Sequence, residues 1–199
     1  MIKRRTLLIT AAVSLATPAL LQAKEPSQAD VFFDKNIPVL GNPKGNVTIA
    51  EYFDYQCTYC KSIHPIVSKV VKDDGNVRLV MKDWPVFGAA SVFAAQSVLA
   101  AAKLGKYGQA QEALFKLQGP LTPDRVQQAL EEIGITRDQL KTTVNTQAKT
   151  IAGVLDRNWL QADSLGFQGT PSFVIGKTLY PGALEESDLK EAIAKARAA

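Results

Sequence analysis

The chain has 199 residues, of which 46% are hydrophobic, 21% are charged and two are cysteines. Its formal charge is +4 at pH 7, but three basic residues and no acidic residue lie within positions 1–23, which leaves 20 Lys and Arg against 19 Asp and Glu. A net charge near +1 excludes the basic excess that nucleic acid or anionic lipid would attract, so neither is expected as a partner.

The first 23 residues have the pattern of a secretory signal peptide. Basic residues at 3–5 precede an apolar run over residues 6–21, and small residues follow. The run has 16 residues, fewer than the ~20 that a membrane-spanning helix needs, so an uncleaved anchor is the weaker alternative. We expect cleavage near Ala23 and export of a mature domain that is large enough for a core without covalent cross-links.

The mature chain is expected to begin with an irregular arm and a buried strand. Residues 24–46 are polar and rich in Pro and Gly, which predicts an N-terminal arm with at most a short strand around Val31–Phe33. Val47–Phe53 is β-branched and aromatic, and Glu51 is its one charged residue. This composition predicts a strand that is buried in a sheet.

The period of the apolar residues changes after Cys57, where a helix is predicted. Its apolar stripe follows the spacing i, i+3, i+4, i+7, i+8 and consists of Ile63, Ile66, Val67, Val70 and Val71. Pro65 lies inside this helix, and Asp74-Gly75-Asn76 ends it. A second strand is predicted over Val77–Met81, so the order is strand, helix, strand.

Residues 88–165 predict an all-helical insertion, because helical periods, caps and terminating glycines replace the strand signals. The helices are expected over residues 89–104, 107–118, 123–134 and from 136 to Gly166. Strand signals return at 172–175 and 178–180, and a helix over about 185–196 closes the chain. We therefore predict an α/β domain over 47–87 and 166–199 that the helical insertion interrupts.

Both cysteines lie in the stretch FDYQCTYCK, separated by Thr58 and Tyr59. A structural disulfide would close a loop of about four residues and stabilise the fold by roughly 2 kcal/mol, against nearly 5 for a 100-residue loop. A structural zinc ion needs four ligands, whereas Cys57, Cys60 and His64, the only histidine, supply three. The spacing therefore favours a redox-active pair without a metal.

Cys57 is placed where a strand feeds a helix. Backbone N–H groups lack partners there and the helix dipole favours negative charge, so the thiol pKa is expected to fall below its usual ~8.5. Cys60 lies one turn further, at a distance that a disulfide can span. We expect Cys57 to be attacked by thiolates and Cys60 to be the resolving thiol.

Other side chains near the cysteines have two interpretations each. Glu51 lies on the buried strand, where its pKa should rise, and could relay protons to Cys60; alternatively it pairs with Lys82 for structural reasons. Trp84 and Phe87 could form an apolar rim for unfolded proteins or pack in the core.

These features together resemble the thioredoxin fold: a Cys-x-x-Cys at a strand-to-helix junction, Pro65 five residues past the second cysteine, and Gly169-Thr170-Pro171 before a late strand. The helical block after KDWPVFG and the lead-in GNPKGNVTIAEYFDYQC make the chain similar to the DsbA-like periplasmic thiol:disulfide oxidoreductases over roughly 38–197. The resemblance implies an α/β thioredoxin fold with an inserted all-helical subdomain, a periplasmic location and an enzyme without a cofactor.

The resemblance also implies roles for particular residues. Cys57 would be the nucleophile, Cys60 the resolving cysteine and Glu51 the family's buried acid. Thr170-Pro171 would form a cis-proline loop that faces the sulfurs and offers its backbone to the client, and Thr58-Tyr59 would complete the substrate-binding surface.

The resemblance leaves the direction of the reaction open. The spacer Thr58-Tyr59 replaces the Pro-His or Pro-Tyr of many family oxidases, and Thr170 is similar to the residue in isomerases and reductases. We expect a disulfide donor to reduced exported proteins, reoxidised by a membrane partner, with an isomerase or client-specific reductase as the alternative. Alternatives of another class are a Cu(I)-binding module and a chaperone. The arm 24–46 is too short for the dimerisation domain that isomerases usually carry, which argues against the isomerase. A monomer is expected.

Overall fold

A computed structural model describes residues 26–199, so the predicted signal peptide and its cleavage near Ala23 lie outside the described residues. In chain order the elements are α1 Gln28–Phe32, β1 Val39–Gly41, β2 Val47–Phe53, α2 Thr58–Asp74, β3 Val77–Asp83, α3 Ala89–Lys103, α4 Tyr107–Lys116, α5 Pro123–Glu132, α6 Arg137–Ser164, β4 Ser172–Ile175, β5 Thr178–Pro181 and α7 Glu186–Ala198. Within these residues no helix has the length and apolar character needed to cross a membrane.

The strands form one mixed sheet in the order β1-β3-β2-β4-β5. The central pair β2 and β3 is parallel and is joined by α2, whereas the other pairs are antiparallel. Four helices, α3 to α6, lie in the chain between β3 and β4. The predicted α/β fold with an inserted helical subdomain is therefore confirmed.

The arm differs from the prediction, because the short strand expected around Val31–Phe33 is wrong. Ser27 caps α1: its hydroxyl accepts a hydrogen bond from Asp30 N, and Ser27 N donates to the Asp30 carboxylate. This capping box starts a helix that buries Val31 and Phe32. The strand of the arm is β1, which pairs with β3. The arm is thus built into the domain rather than irregular.

Strand β3 ends at Asp83, two residues beyond the predicted end at Met81. Lys82 and Asp83 interrupt the apolar pattern, yet their backbones continue the parallel pairing with Tyr52 and Phe53. Both charged residues are consequently buried in the centre of the molecule, with exposed fractions of 0% and 1%.

Candidate active site

The nucleophile candidate Cys57 is the N-cap residue of α2, as the strand-to-helix junction predicts. Its Sγ atom accepts a hydrogen bond of 3.3 Å from Cys60 N, and its own N–H donates to Asp54 O at 3.1 Å. Both cysteines are free thiols in this structure and both are buried. The helix therefore begins with an N–H group aimed at the Cys57 sulfur.

The two thiols have opposite acidities. The pKa of Cys57 is lowered from 9.0 to about 6, chiefly by a hydrogen bond from the Cys60 thiol and further by the Thr170 side chain and the N–H groups of Cys60 and Tyr59, against the effect of burial. Burial raises the pKa of Cys60, and its hydrogen bond to Cys57 adds to the rise. At neutral pH the pair therefore holds one proton, and Cys60 holds it.

Glu51 is completely buried on β2, and neither carboxyl oxygen has a hydrogen-bond partner. Burial raises its pKa to about 8, and the negative charge on Cys57 adds to this effect. Glu51 in turn contributes to the raised pKa of Cys60. A carboxyl group that keeps its proton near neutral pH therefore lies within electrostatic reach of both sulfurs.

The alternative ion pair between Glu51 and Lys82 is wrong. In the β2–β3 register Glu51 is opposite Met81 and Tyr52 is opposite Lys82, so Glu51 and Lys82 point to different faces of the sheet. Lys82 Nζ instead donates to Gln161 Oε1 at 2.9 Å. Glu51 is therefore not buried as the partner of Lys82 in a structural ion pair.

The loop before β4 lies against the nucleophile candidate. The Thr170-Pro171 peptide bond is cis, and Thr170 O lies 3.2 Å from Cys57 Sγ, which donates to it when the thiol is protonated. Ser172 Oγ donates to Gly169 O and Gly182 N donates to Pro171 O, which hold the loop. The fold thus brings together residues that are 113 positions apart in the chain.

The spacer residues form the outer surface of the site. Thr58 is exposed, and Tyr59 has 69% of its surface exposed. The two candidates for an apolar rim behave differently: Phe87 is exposed, whereas Trp84 is buried and packs edge-on against Tyr52. Core packing is therefore the correct interpretation for Trp84.

Asp54 is a structural residue of the site that the sequence analysis missed. Its Oδ1 atom accepts hydrogen bonds from Gln56 N and Ser91 Oγ, both at 2.7 Å, and its Oδ2 atom accepts from Val86 N at 2.7 Å and Phe87 N at 3.1 Å. The short Asp54-to-Gln56 turn is a local signal that could have been recognised. The carboxylate fixes the loop after β3 against the residues that precede Cys57.

Gln56 extends this connection to the helical insertion. Its Nε2 atom donates to Phe87 O and to Ser91 Oγ, and its Oε1 atom accepts from Leu121 N at 3.2 Å. One side chain next to Cys57 therefore joins α3 and the loop before α5.

Replacing Asp54 by alanine is expected to destabilise the folded protein by about 3 kcal/mol or more, because several donors lose their acceptor at once and each buried unsatisfied group costs roughly 1–3 kcal/mol. Urea unfolding followed by circular dichroism measures the change. Asp73→Ala is the matched control: Asp73 is exposed and within residues 26–199 its one ion-pair partner is Lys69, so its loss should change the unfolding free energy by less than about 1 kcal/mol. Equal effects of the two substitutions would contradict the proposed role of Asp54.

Asp83 is a second buried acid that the sequence analysis missed. In the β2–β3 register it is opposite Phe53, so it lies on the same face of the sheet as Glu51. Both of its carboxyl oxygens lack a hydrogen-bond partner. Burial raises its pKa to about 8, the charge of Asp54 adds to the rise, and the nearby side chains of Tyr55 and Tyr107 reduce it. The sheet thus carries two carboxyl groups that keep their protons.

These two acids predict a stability that falls as pH rises. Glu51 and Asp83 have pKa values of about 8 in the folded protein, whereas unfolded carboxyl groups titrate near 4. Between about pH 4 and pH 8 the folded state therefore binds more protons, and each acid lowers the unfolding free energy by up to ~1.4 kcal/mol per pH unit. Glu51→Gln and Asp83→Asn should each gain stability over the wild type as pH rises through this window.

Urea unfolding of the oxidised proteins at several pH values measures this difference without interference from the thiols. In the disulfide form burial still raises the pKa of Glu51, but the Cys57 charge that adds to the rise is absent, so its window ends at a lower pH. Asp73→Asn is the control, because it removes an exposed acid rather than a buried one and should therefore keep the wild-type dependence of stability on pH. A wild-type-like slope in both core variants would show that these carboxyl groups are ionised in the folded protein.

Among residues 26–199 there is no group of three or more His, Cys, Asp and Glu side chains that could hold a metal ion.

Comparison with known proteins agrees with this geometry. A family model described as thioredoxin matches residues 34–195. Disulfide bond formation protein D of Bacillus subtilis is 27% identical over 179 residues, which cover 81% of this chain and 77% of that protein. The chain also matches NhaA Na⁺/H⁺ antiporters of two Salinispora species at 26% and 27% identity, and it spans only 24% of their length.

Solved structures are similar over nearly all the described residues. A thioredoxin-like oxidoreductase from Silicibacter pomeroyi is 40% identical, with a TM-score of 0.84 over 87% of this chain and 99% of that chain. The thiol-disulfide exchange protein α-DsbA2 of Wolbachia pipientis is 28% identical, with a TM-score of 0.79 over 84% of this chain and 90% of that one.

Proposed function

This chain belongs to the thioredoxin family, in its DsbA-like branch of thiol:disulfide oxidoreductases, and from that premise we propose that it is exported and donates its Cys57–Cys60 disulfide to reduced proteins of the cell envelope. The observation that carries the proposal is the low pKa of Cys57 beside the raised pKa of Cys60. A stabilised thiolate favours the reduced form of the pair, which makes the oxidised protein a stronger oxidant.

The reaction begins when a client thiolate attacks Cys57 Sγ of the disulfide. The bond between the two sulfurs breaks, its electron pair stays on Cys60 Sγ, and a mixed disulfide joins Cys57 to the client. Glu51 gives the proton that Cys60 needs, because a carboxyl with a pKa of about 8 still holds its proton at neutral pH.

A second client thiolate then attacks the client sulfur of the mixed disulfide. The bond to Cys57 breaks, and Cys57 leaves as a thiolate, which a pKa of about 6 favours. The client has lost two electrons and the protein's cysteine pair has gained them. Glu51 recovers its proton from solvent, so the pair is left with a Cys57 thiolate and a Cys60 thiol.

Client binding is assigned to the surface around Cys57. Thr170 presents its carbonyl oxygen 3.2 Å from the Cys57 sulfur, and Pro171 fixes the loop that carries it. Thr58 and Tyr59 flank the sulfur with exposed side chains. An extended client chain can hydrogen-bond to the loop and pack on the Tyr59 ring without a deep pocket, which suits clients of many sequences.

Export and reoxidation complete the proposal. The basic, apolar and small-residue order of positions 1–23 supports export to the periplasm. Each turnover leaves two electrons on the cysteine pair, so a separate oxidant, proposed to be a membrane protein, must remove them. The arm supports a monomer, because β1 pairs with β3 and α1 packs into the core of the same chain.

Isomerase or client-specific reductase activity is the second candidate. It rests on the resemblance of Thr170, before the cis-proline, to the residue of isomerases and reductases, and on the Thr58-Tyr59 spacer that replaces the spacer of many oxidases. Within this site the Cys60 thiol is the main cause of the low pKa of Cys57, and Thr170 and the Tyr59 N–H both lower it further, which supports the donor instead. A less stabilised Cys57 thiolate would lower the reduction potential of the cysteine pair and make the protein a weaker oxidant.

Equilibration with glutathione buffers, followed by trapping of free thiols, measures the reduction potential that separates these candidates. We expect a value nearer the strongly oxidising end of the family, roughly −120 mV, than thioredoxin's roughly −270 mV. A potential close to that of thioredoxin would reject the donor and support the reductase. Reactivation of scrambled ribonuclease that exceeds oxidation of reduced ribonuclease would identify an isomerase. A protein that oxidises no thiols but binds Cu(I), or only prevents aggregation, would belong to the metal-binding or chaperone class.

A further inference from the structure

An open groove of about 570 Å³ runs beside the N-terminus of α2. One wall contains Thr58, Lys61 and Ser62, so the groove begins at the residue that follows Cys57. The other wall belongs to the helical insertion and contains Phe115 and residues 118–120. A chain that reacts at Cys57 therefore has a continuous path between the two subdomains.

Lys61 is the one charged side chain among the residues that line this groove. Its Nζ atom donates to Leu117 O at 2.7 Å, which holds the ammonium group on the wall and leaves further N–H donors for a ligand. Burial lowers the pKa of Lys61, and the positive charge of Arg125 adds to this effect. A carboxylate in the groove would stabilise the charged form of Lys61 against both effects.

The described part of the chain gives Lys61 no direct carboxylate partner: against the effect of burial, Asp54 and Cys57 raise its pKa only by Coulombic attraction, without a hydrogen bond to it. Within residues 26–199 Lys61 forms no ion pair, and the nearby Arg125 donates to the carbonyl oxygens of Pro120 and Gln118 rather than to a carboxylate. The acid closest in sequence to the far wall, Glu112, is already bound by His64 Nε2 and Lys116 Nζ. Within the described residues the groove therefore has a positive charge without a direct ion-pair partner, one helical turn from the nucleophile.

We propose that this groove binds the client segment next to the reactive cysteine and selects segments that carry an aspartate or glutamate there. The inference rests on the proposed function and names a substrate class for it. Lys61 is four residues from Cys57, about 6 Å along a helix, and an extended client advances about 3.3 Å per residue. A carboxylate about two residues from the client cysteine can therefore reach the ammonium group.

Two pairs of dithiol peptides test the preference. In one pair glutamate or glutamine stands two residues before the attacking cysteine, and in the other pair two residues after it. The rates at which the oxidised protein oxidises each peptide are compared. We expect the glutamate peptide of at least one pair to react about threefold to fivefold faster, the size of a partly exposed ion pair, and added salt to reduce the ratio.

Lys61→Met is expected to abolish this ratio, and Lys116→Met is the matched control that should retain it. Lys116 is an exposed lysine of α4 that does not line the groove. The ratio is the decisive quantity, because a change in Cys57 acidity would alter the rates of both peptides of a pair equally. Equal rates within both wild-type pairs, or a ratio that survives in Lys61→Met, would overturn the inference.

A second measurement separates this inference from the donor function. In Cys60→Ser the mixed disulfide between Cys57 and a single-cysteine peptide is stable, and its exchange equilibrium with glutathione can be measured without turnover. The same preference for glutamate over glutamine is expected there. Failure of the wild type to oxidise neutral peptides would reject the donor function alone, whereas loss of the glutamate preference in this equilibrium would reject the groove.

Discussion

A Cys60→Ser variant is expected to accumulate covalent complexes with client proteins, whereas a Cys57→Ser variant should form none and lose oxidation of reduced ribonuclease to the uncatalysed background. The reason is the asymmetry of the pair. With a pKa of about 6, Cys57 is about 90% thiolate at pH 7, whereas a thiol with a pKa of 8.5 is about 3% thiolate.

In Cys60→Ser the complexes form when the Cys57 thiolate attacks a disulfide of a client, so that one client sulfur binds Cys57 and the other leaves as a thiolate. They persist because the thiol that would attack Cys57 Sγ and expel the client is missing. Cys60 is completely buried and donates its proton toward Cys57, so in the wild type it is the nearest sulfur that can attack the mixed disulfide. Non-reducing electrophoresis of cells that produce each variant, with and without dithiothreitol, measures the complexes. The control is Cys57→Ser/Cys60→Ser. Complexes of equal abundance in the two single variants would contradict the assignment of Cys57 as the nucleophile.

The reduced protein should become more stable relative to the oxidised protein as pH rises from about 6 to about 8.5. Below pH 6 Cys57 is protonated in both the folded and the unfolded reduced chain, so its thiol contributes nothing. Between these values the folded chain holds a thiolate and the unfolded chain a thiol, so the folded state binds fewer protons. The unfolding free energy then rises by up to ~1.4 kcal/mol per pH unit.

The oxidised protein has no thiol to titrate and should lack this slope. Urea unfolding of both redox forms between pH 5 and pH 8.5 measures the difference, and ultraviolet absorbance of the thiolate follows the pKa directly. Glu51→Gln is the suitable background, because the Cys57 charge shifts the pKa of Glu51 and the two titrations would otherwise overlap. Reduced Cys57→Ser is the control and should show no rise. A Cys57 thiolate that appears only above pH 8 would remove the basis of the donor proposal.

The local patterns of the sequence predict much of this fold. Strands Val47–Phe53 and Ser172–Ile175 have the predicted bounds, and the capping box at Thr136 starts α6. These features depend on neighbours within a few residues: the alternation of side chains, a hydroxyl that accepts from the third N–H, and a glycine with positive φ at Gly75. Such features can therefore be predicted from a single amino-acid sequence.

Long-range features required the tertiary structure. The arm residues Val31 and Phe32 have strand-like side chains, but the Ser27 cap and packing against the core make them helical. The face that Lys82 occupies depends on the register between β2 and β3, which no local pattern encodes. The buried, unpaired Asp83 was missed for the same reason, because an aspartate after an apolar run usually marks the end of a strand.

The sequence by itself determined the position of the Cys-x-x-Cys pair at a strand-to-helix junction, since the backbone geometry around Cys57 and Cys60 is local. Only the tertiary structure decided what surrounds the sulfurs: the Thr170 carbonyl at 3.2 Å, the unpaired Glu51 and the Lys61 groove between α2 and the insertion. Those contacts join segments up to 113 residues apart, and their partners are set by which surfaces pack together. The local sequence pattern determines where α2 begins. Tertiary packing determines which groups from distant segments lie against its first turn.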